Sequence, residues 1–282
     1  MRQSADWFAS ARVLLLVAAL CSLPSVIRAV LVTPPAVFMD DRTRTAQLSL
    51  QNPGAEAEEL TITLKFGYPA TDSSGSPFIN FIADSTRDEH DATAWLRAFP
   101  RQVRLEPGDQ QTVRLLAAPP AGLPDGEYWT RYVVTSRPAS APAVRGDSGV
   151  RVTLTMAVAT IGAVVYRKGA VVTGVHLTTL TARTRSDSLV ARLGLERTGN
   201  AAFQGTARFA LTASDGRRIA EWPAVPLAVY YAGNQRFALP RASIPSGRYT
   251  LDVVVTSGRP ELQKGQALPA DPVHGAVAIA VP

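Results

Sequence analysis

Cysteine is nearly missing from this chain, and that alone removes several classes of function. Cys21 is the only one in 282 residues. It lies inside an N-terminal segment that reads as an export signal, so the remainder has no disulfide framework and no thiolate metal site. Its fold has to rest on core burial. Long apolar runs are missing too. The stretch from Val13 to Leu20 follows Arg2 and Arg12 and leads to the small residue Ala29, the pattern of a cleaved secretory signal over residues 1–29. The run is far short of the roughly 20 residues a spanning helix needs, and no later segment reaches that length. No membrane insertion of the mature chain is expected. Leu20 precedes Cys21 where lipid attachment wants a small residue. Charge of one sign is scarce: the formal charge is +6, and losing Arg2, Arg12, Arg28 and Asp6 with the signal leaves +4. The basic residues are mostly dispersed arginines, with no Lys/Arg run interleaved with aromatics, so no nucleic-acid surface is expected. A charged content of 18% beside 46% hydrophobic residues excludes a disordered chain.

Helical periodicity is nearly absent after the signal, whereas period-two alternation recurs throughout. Leu48 and Leu50 alternate with polar neighbours, as do Leu60, Ile62, Leu64 and Phe66. Val103, Leu105, Val113 and Leu115 continue the pattern around the turn Glu106-Pro107-Gly108-Asp109, and Tyr128 to Val134 is a further strand. Later, Leu189, Ala191, Leu193 and Leu195 alternate, then Phe209 and Leu211 before the turn at Asp215-Gly216. Tyr249, Leu251, Val253 and Val255 precede a closing strand with Val277, Ile279 and Val281. Many short strands joined by Gly/Pro/Asn turns predict an all-β chain of sandwich type. Its length predicts two domains.

Two long connections interrupt the strands. Residues 68–93 are polar, with a short strand expected near Phe78–Ile82, and residues 136–148 form a Pro/Ala/Ser stretch expected to be a mobile loop. Next comes the most regular row in the chain: Val150, Val152, Leu154, Met156 and Val158 alternate with Arg151, Thr153, Thr155 and Ala157. The run continues through Ala163-Val164-Val165-Tyr166-Arg167, so a strand is expected over about 149–166. Lys168-Gly169 then marks the passage from a first domain, 30–167, to a second, 168–282. By pattern alone, the row either faces its own core or is kept for a partner.

Residues suited to catalysis do not assemble into a mechanism. Gly146-Asp147-Ser148-Gly149 resembles the nucleophile motif of trypsin-like proteases, but only His90, His176 and His274 are available as a base, none in a matching context. Asp88-Glu89-His90-Asp91 gathers three acids and an imidazole, yet adjacent loop residues rarely converge on one ion, and a solvated loop is the expectation. Asp40-Asp41 reads as a turn. Trp95, Trp129 and Trp222 read as core or rim residues rather than a carbohydrate platform. No Gly-rich phosphate loop joins a strand to a helix. No metal, no cofactor and no enzyme activity is expected.

The order of motifs resembles the periplasmic chaperones of the chaperone–usher pathway, in their divergent archaic or spore-coat-like branch. The resemblance starts at Val32-Thr33-Pro34-Pro35-Ala36-Val37-Phe38 and Leu48-Ser49-Leu50-Gln51-Asn52-Pro53-Gly54. Its most specific stretch runs from Trp95 through Pro100-Arg101 and Leu105-Glu106-Pro107-Gly108 to Val113-Arg114-Leu115, followed by Leu123-Pro124-Asp125-Gly126-Glu127-Tyr128. Arg197-Thr198-Gly199-Asn200, Asp215-Gly216, Ala228-Val229-Tyr230 and Arg236 extend it into the second domain.

This resemblance implies two immunoglobulin-like β-sandwich domains in an L-shaped arrangement, a periplasmic location, and a binding role. The partners it implies are pilin-like secreted subunits and an outer-membrane usher. Such a subunit is a sandwich lacking one strand, and the chaperone lends that strand by β-augmentation. Val150, Val152, Leu154, Met156 and Val158 occupy the donor position. Arg167 matches an arginine of a domain-hinge ion pair, with Glu127 as its expected carboxylate. The family's usual pair of basic residues for a subunit's C-terminal carboxylate falls on Pro35 and Ala163, which bind no anion. Either another arginine takes that role or the donor strand alone holds the subunit. The alternative reading is a secreted adhesion or structural protein built from two immunoglobulin-like domains.

Overall fold

A computed structural model describes residues 29–83, 88–140, 144–145, 151–152, 156–241 and 244–282. Residues 1–28 of the expected signal, Cys21 among them, Gly146 to Val150 and Leu154 lie outside the described residues. Among those described, every regular element is a strand.

The first thirteen strands are β1 (Leu31–Thr33), β2 (Ala36–Asp40), β3 (Thr45–Gln51), β4 (Glu58–Lys65), β5 (Gly67–Thr71), β6 (Pro77–Phe81), β7 (Leu96–Phe99), β8 (Gln102–Leu105), β9 (Gln110–Ala117), β10 (Gly126–Pro138), β11 (Val144–Arg145), β12 (Arg151–Val152) and β13 (Val158–Lys168). Two sheets, ordered β1-β3-β9-β7 and β2-β13-β10-β4-β8, face each other. The alternation seen in the sequence builds the core between them. Leu48, Leu50, Leu60, Ile62, Val113 and Leu115 are buried, with Tyr132, Val164 and Tyr166 completing the layer. The expected strand near Phe78 is β6, which pairs with β5 as a hairpin.

The first edge of this sandwich belongs to both sheets. β1 pairs antiparallel with β3, whereas β2, three residues on, pairs parallel with β13 in the opposite sheet. Pro34 and Pro35 lie between them. Proline has no N–H to place in a ladder, so the chain changes sheets where it has least to lose. The turn that follows is made by Asp40, whose carboxylate accepts the Arg42 and Thr43 amides.

β14 (Thr173–Thr184), β15 (Ser188–Gly199), β16 (Phe203–Ala213), β17 (Arg218–Glu221), β18 (Val225–Val229), β19 (Gly233–Pro240), β20 (Gly247–Ser257) and β21 (Val273–Val281) form the second sandwich. Its sheets are β14-β15-β19 and β17-β16-β20-β21, with β18 also on β16. Leu189, Leu193, Phe203, Phe209, Leu211, Leu251 and Val253 fill its core. Gly216 takes a φ of 83° in the turn after Asp215, a backbone region open to glycine.

The longest strand, β10, is buried on both faces. Tyr128, Tyr132 and Val134 point into the first core. Glu127, Trp129 and Arg131 alternate with them and point to the other side, where Tyr230 of the second sandwich meets Trp129 edge-on and lies under the Arg131 guanidinium. That outer face of the first sandwich positions the candidate site.

Candidate functional site: an open strand edge beside a cleft

β13 has two edges with different fates. One pairs with β10 along its whole length, from Val158↔Ser136 to Lys168↔Gly126. The other pairs with β2 only from Ala163 to Arg167. From Val158 to Gly162 that edge has no partner among the described residues. The Ala163 amide donates to Pro35 O at 2.9 Å, which shows that this residue's backbone polar groups face the β2 edge. By the alternation of a strand, those of Ala159 and Ile161 face the same edge and meet no strand. The free length is about 16 Å at ~3.3 Å per residue.

The side chains alternate in step. Val158 and Thr160 lie on the core side with Val164 and Tyr166 and are only half-buried, while Ile161 on the outer side is exposed. Met156, just before the strand, is 57% exposed. Gly162 closes the open stretch. A Cβ there would run into the Tyr132 ring, whose hydroxyl donates to Pro34 O at 2.8 Å.

The expected row is not one continuous ladder. β13 begins at Val158, Met156 and Ala157 lie outside any strand, and Val152 pairs with Val144 in the separate β11-β12 hairpin. Val150 and Leu154 lie outside the described residues. The reason lies on the neighbouring strand. The register that pairs Ser136 with Val158 would next join Pro138 to Met156. The Ala139 amide donates to Ala57 O on the far side, so Pro138 turns its own edge toward β13 and has no N–H to give. The strand β10 also runs through Pro138, three residues into the stretch expected to be a loop.

Glu127 and Arg167 do meet. The Arg167 Nε donates to Glu127 Oε2 at 2.9 Å, and Glu127, fully buried, accepts the Ala202 amide of the second sandwich on Oε1 at 3.2 Å. Arg167 also donates to Gly265 O and Gln266 O and lies over the Phe38 ring. Burial pushes the Glu127 carboxyl above its usual range, against the opposing pull of Arg167 and the Ala202 amide.

The acidic stretch around His90 departs from the solvated loop expected. His90 is buried and stacks on Trp129 at 4.3 Å. Its Nδ1 lies 2.8 Å from Glu127 O, and Arg197 Nη2 of the second sandwich lies 3.2 Å from its Nε2. A carbonyl accepts and a guanidinium donates, so these two contacts suit a ring that donates from Nδ1 and accepts at Nε2. Asp88 accepts the Tyr231 hydroxyl, and Asp91 accepts the Thr93 amide. The acids serve separate partners, and no group of three metal-ligating residues forms among the described residues. Local composition looked hydrophilic because the covering surface comes from the second sandwich.

A cleft of about 590 Å³ opens beside the free edge. Pro35, Ile161 and Ala163 line it from the first sandwich, and Tyr230, Arg259 and Glu261 from the second. Arg131, only 5% exposed, also lines it. Its Nε donates to Gly67 O at 3.0 Å, and its Nη2 has no partner among the described residues. The sequence reading passed over this residue, although it sits on the same strand face as Glu127, four positions on.

No family model matches the chain, and no curated protein matches it. Several solved structures are similar to it at low identity. The YadV chaperone is 13% identical, with 89% of this chain and 100% of that one covered and a TM-score of 0.44. In the archaic Csu pili of Acinetobacter baumannii, the CsuC–CsuE chaperone–tip adhesion subunit complex gives 13% identity, 89% and 98% coverage and 0.42. The SafA pilin–SafB chaperone complex of Salmonella enterica gives 15%, 89%, 97% and 0.41. Similarity at this level fixes neither a function nor a partner.

Proposed function

We propose that the chain is a periplasmic assembly chaperone. It lends the open edge of β13, with its apolar side chains, to a pilin-like secreted subunit that lacks a strand, and passes that subunit to an outer-membrane usher. The observation that carries this reading is the edge from Val158 to Gly162, unpaired among the described residues, beside exposed Met156 and Ile161. A bare edge with apolar flanks is a liability that proteins normally blunt with charge, proline or cover. Here the exposed edge is flanked by valine, methionine and isoleucine. That chemistry suits β-augmentation, in which backbone bonds supply affinity and alternate side chains fill the subunit's groove. Methionine adapts its flexible thioether to varied pockets. The subunit's own folding supplies the driving force, and no covalent bond is made or broken.

Co-expression with pilin-like secreted subunits tests the proposal. The expected product is a one-to-one complex, lost in Ile161→Pro, which removes an N–H on the open edge alone, and weakened in Met156→Asp. Full binding by the folded Ile161→Pro variant would remove the strand-lending role and favour an adhesion or structural protein.

A further inference from the structure

We infer that the outer face of the β14-β15-β19 sheet is an electrostatic docking face for an anionic phospholipid surface. The inference goes beyond strand lending and draws on that reading only for the export that brings the chain to a membrane. Leu189, Ala191, Leu193 and Leu195 of β15 fill the second core, so Arg192 alternates to the outer side. Phe237 and Leu239 do the same for Arg236 on β19. Beyond the bulge in β14, Leu180 and Ala182 pack inward, which turns Thr181 and Arg183 outward. The register then gathers the three arginines. Arg192 stands directly opposite Arg236, and Arg183, paired with Val190, is its diagonal neighbour on the other flank. Direct pairs in a sheet have Cβ atoms about 5 Å apart, and diagonal pairs about 7–8 Å.

Like charges set opposite each other in a sheet destabilise it. Among the described residues every ion pair involves other side chains, and none answers these three arginines. Glu196 shares the face but lies four residues from Arg192, about 13 Å at strand rise, and stands opposite His176. The face is open. Arg183 and Arg236 are exposed, and the side chains between the cations are short: Thr179, Thr181 and Ala238. The Arg236 amide donates to Gly75 O at 3.2 Å, so the turn between β5 and β6 meets the edge of this sheet. None of the large exposed apolar side chains of the described residues lies on this face. A protein partner is normally held by an aromatic or aliphatic anchor, whereas a plane of phosphates needs only charge and donors. The guanidinium fork matches phosphate oxygens, and each cation at an anionic leaflet adds about fivefold in affinity.

The test sediments the full chain with vesicles of phosphatidylcholine, made with and without phosphatidylglycerol. Wild type is expected to bind only the vesicles that contain phosphatidylglycerol, and to leave them as salt rises. Arg192→Thr combined with Arg236→Thr should weaken binding about 25-fold. Thermal stability should stay level or rise, because threonine suits a strand and the repulsion is gone. The control, Arg208→Thr with Arg248→Thr, removes equal charge from exposed positions on β16 and β20 in the opposite sheet, and should bind like wild type. If the first double variant does not fold, Arg236→Thr alone is read, with about fivefold weakening expected. No vesicle binding by wild type, or equal loss in both double variants, overturns the inference. Binding to RNA or to an acidic polypeptide but not to the vesicles overturns it too. Each of these results leaves strand lending standing. Vesicle binding by a chain that captures no subunit would remove strand lending and keep this inference.

Discussion

The two halves of β13 belong to one strand and share one partner in β10, yet they are built for opposite ends. From Ala163 to Lys168 the strand is enclosed. β2 covers its edge, Val164, Val165 and Tyr166 are fully buried, and Arg167 is tied to Glu127 and to the second sandwich. From Val158 to Gly162 the same edge has no partner among the described residues, and the side chains are half-buried or exposed, apart from Gly162 itself. The halves meet at Gly162, where Tyr132 crosses over the glycine to reach Pro34. A rigid half thus holds a lending half in register. Pre-organisation of this kind lowers the ordering cost of binding, because the strand is already extended before a partner arrives.

Substitutions should separate the halves, and the largest effect is expected at the ion pair. Arg167→Ala leaves Glu127 buried and unmatched, and should cost about 3–5 kcal/mol in denaturant unfolding. The loss should depend on pH with a definite sign. The folded-state value of the Glu127 carboxyl lies above its ordinary 4.5, so its favourable part is present below that value and is lost as pH rises through the folded value. Removing Arg167, which pulls that value down, should carry the loss on to higher pH.

Gly162→Ala comes next. The added methyl group must displace Tyr132 and should cost about 1–3 kcal/mol, with loss of the Tyr132–Pro34 hydrogen bond checked by thermal unfolding of Tyr132→Phe alone and combined with Gly162→Ala. The double change should cost less than the sum of the singles. Tyr166 gives a smaller, alkaline effect. Burial first, and its bond to Asp41 second, push its hydroxyl up from near 10 to about 12. Its contribution is therefore complete below pH 10 and is lost as pH climbs toward 12. Tyr166→Phe should flatten the melting profile over that window. Smallest of all is Met156→Asp, expected to change stability by no more than about 0.5 kcal/mol because the side chain is exposed, while weakening subunit binding. A large loss of stability there would place Met156 in the home core and erase the contrast between the halves.

Most of the sandwich architecture was legible because burial is written into alternation. The rows Leu48/Leu50, Leu60/Ile62 and Leu189 to Leu195 could satisfy period two only as strands with one buried face. The Glu127–Arg167 pair was legible through family resemblance, and the structure places the two in contact. The start of β13 was not legible, since the local row from Val150 to Val158 is unbroken and the interruption comes from Pro138, across the ladder. His90 and Arg131 were missed for a related reason. The neighbours of His90 in sequence are hydrophilic and Arg131 is a charge set in an apolar strand, and what covers them from the other sandwich, Arg197 at His90 and Tyr230 at Arg131, lies far off in sequence. Pattern reports the faces of a strand; it is silent about which surface comes to cover them.

Residue-resolved amide hydrogen exchange on the free chain, repeated with a bound pilin-like subunit, tests the division of β13 most directly. The Ala163 amide, bonded to Pro35, should be protected in both states. Those of Ala159 and Ile161 should exchange rapidly in the free chain and become protected on binding. Slow exchange at Ala159 and Ile161 before any partner is added would mean the edge is already covered, and the account would fail.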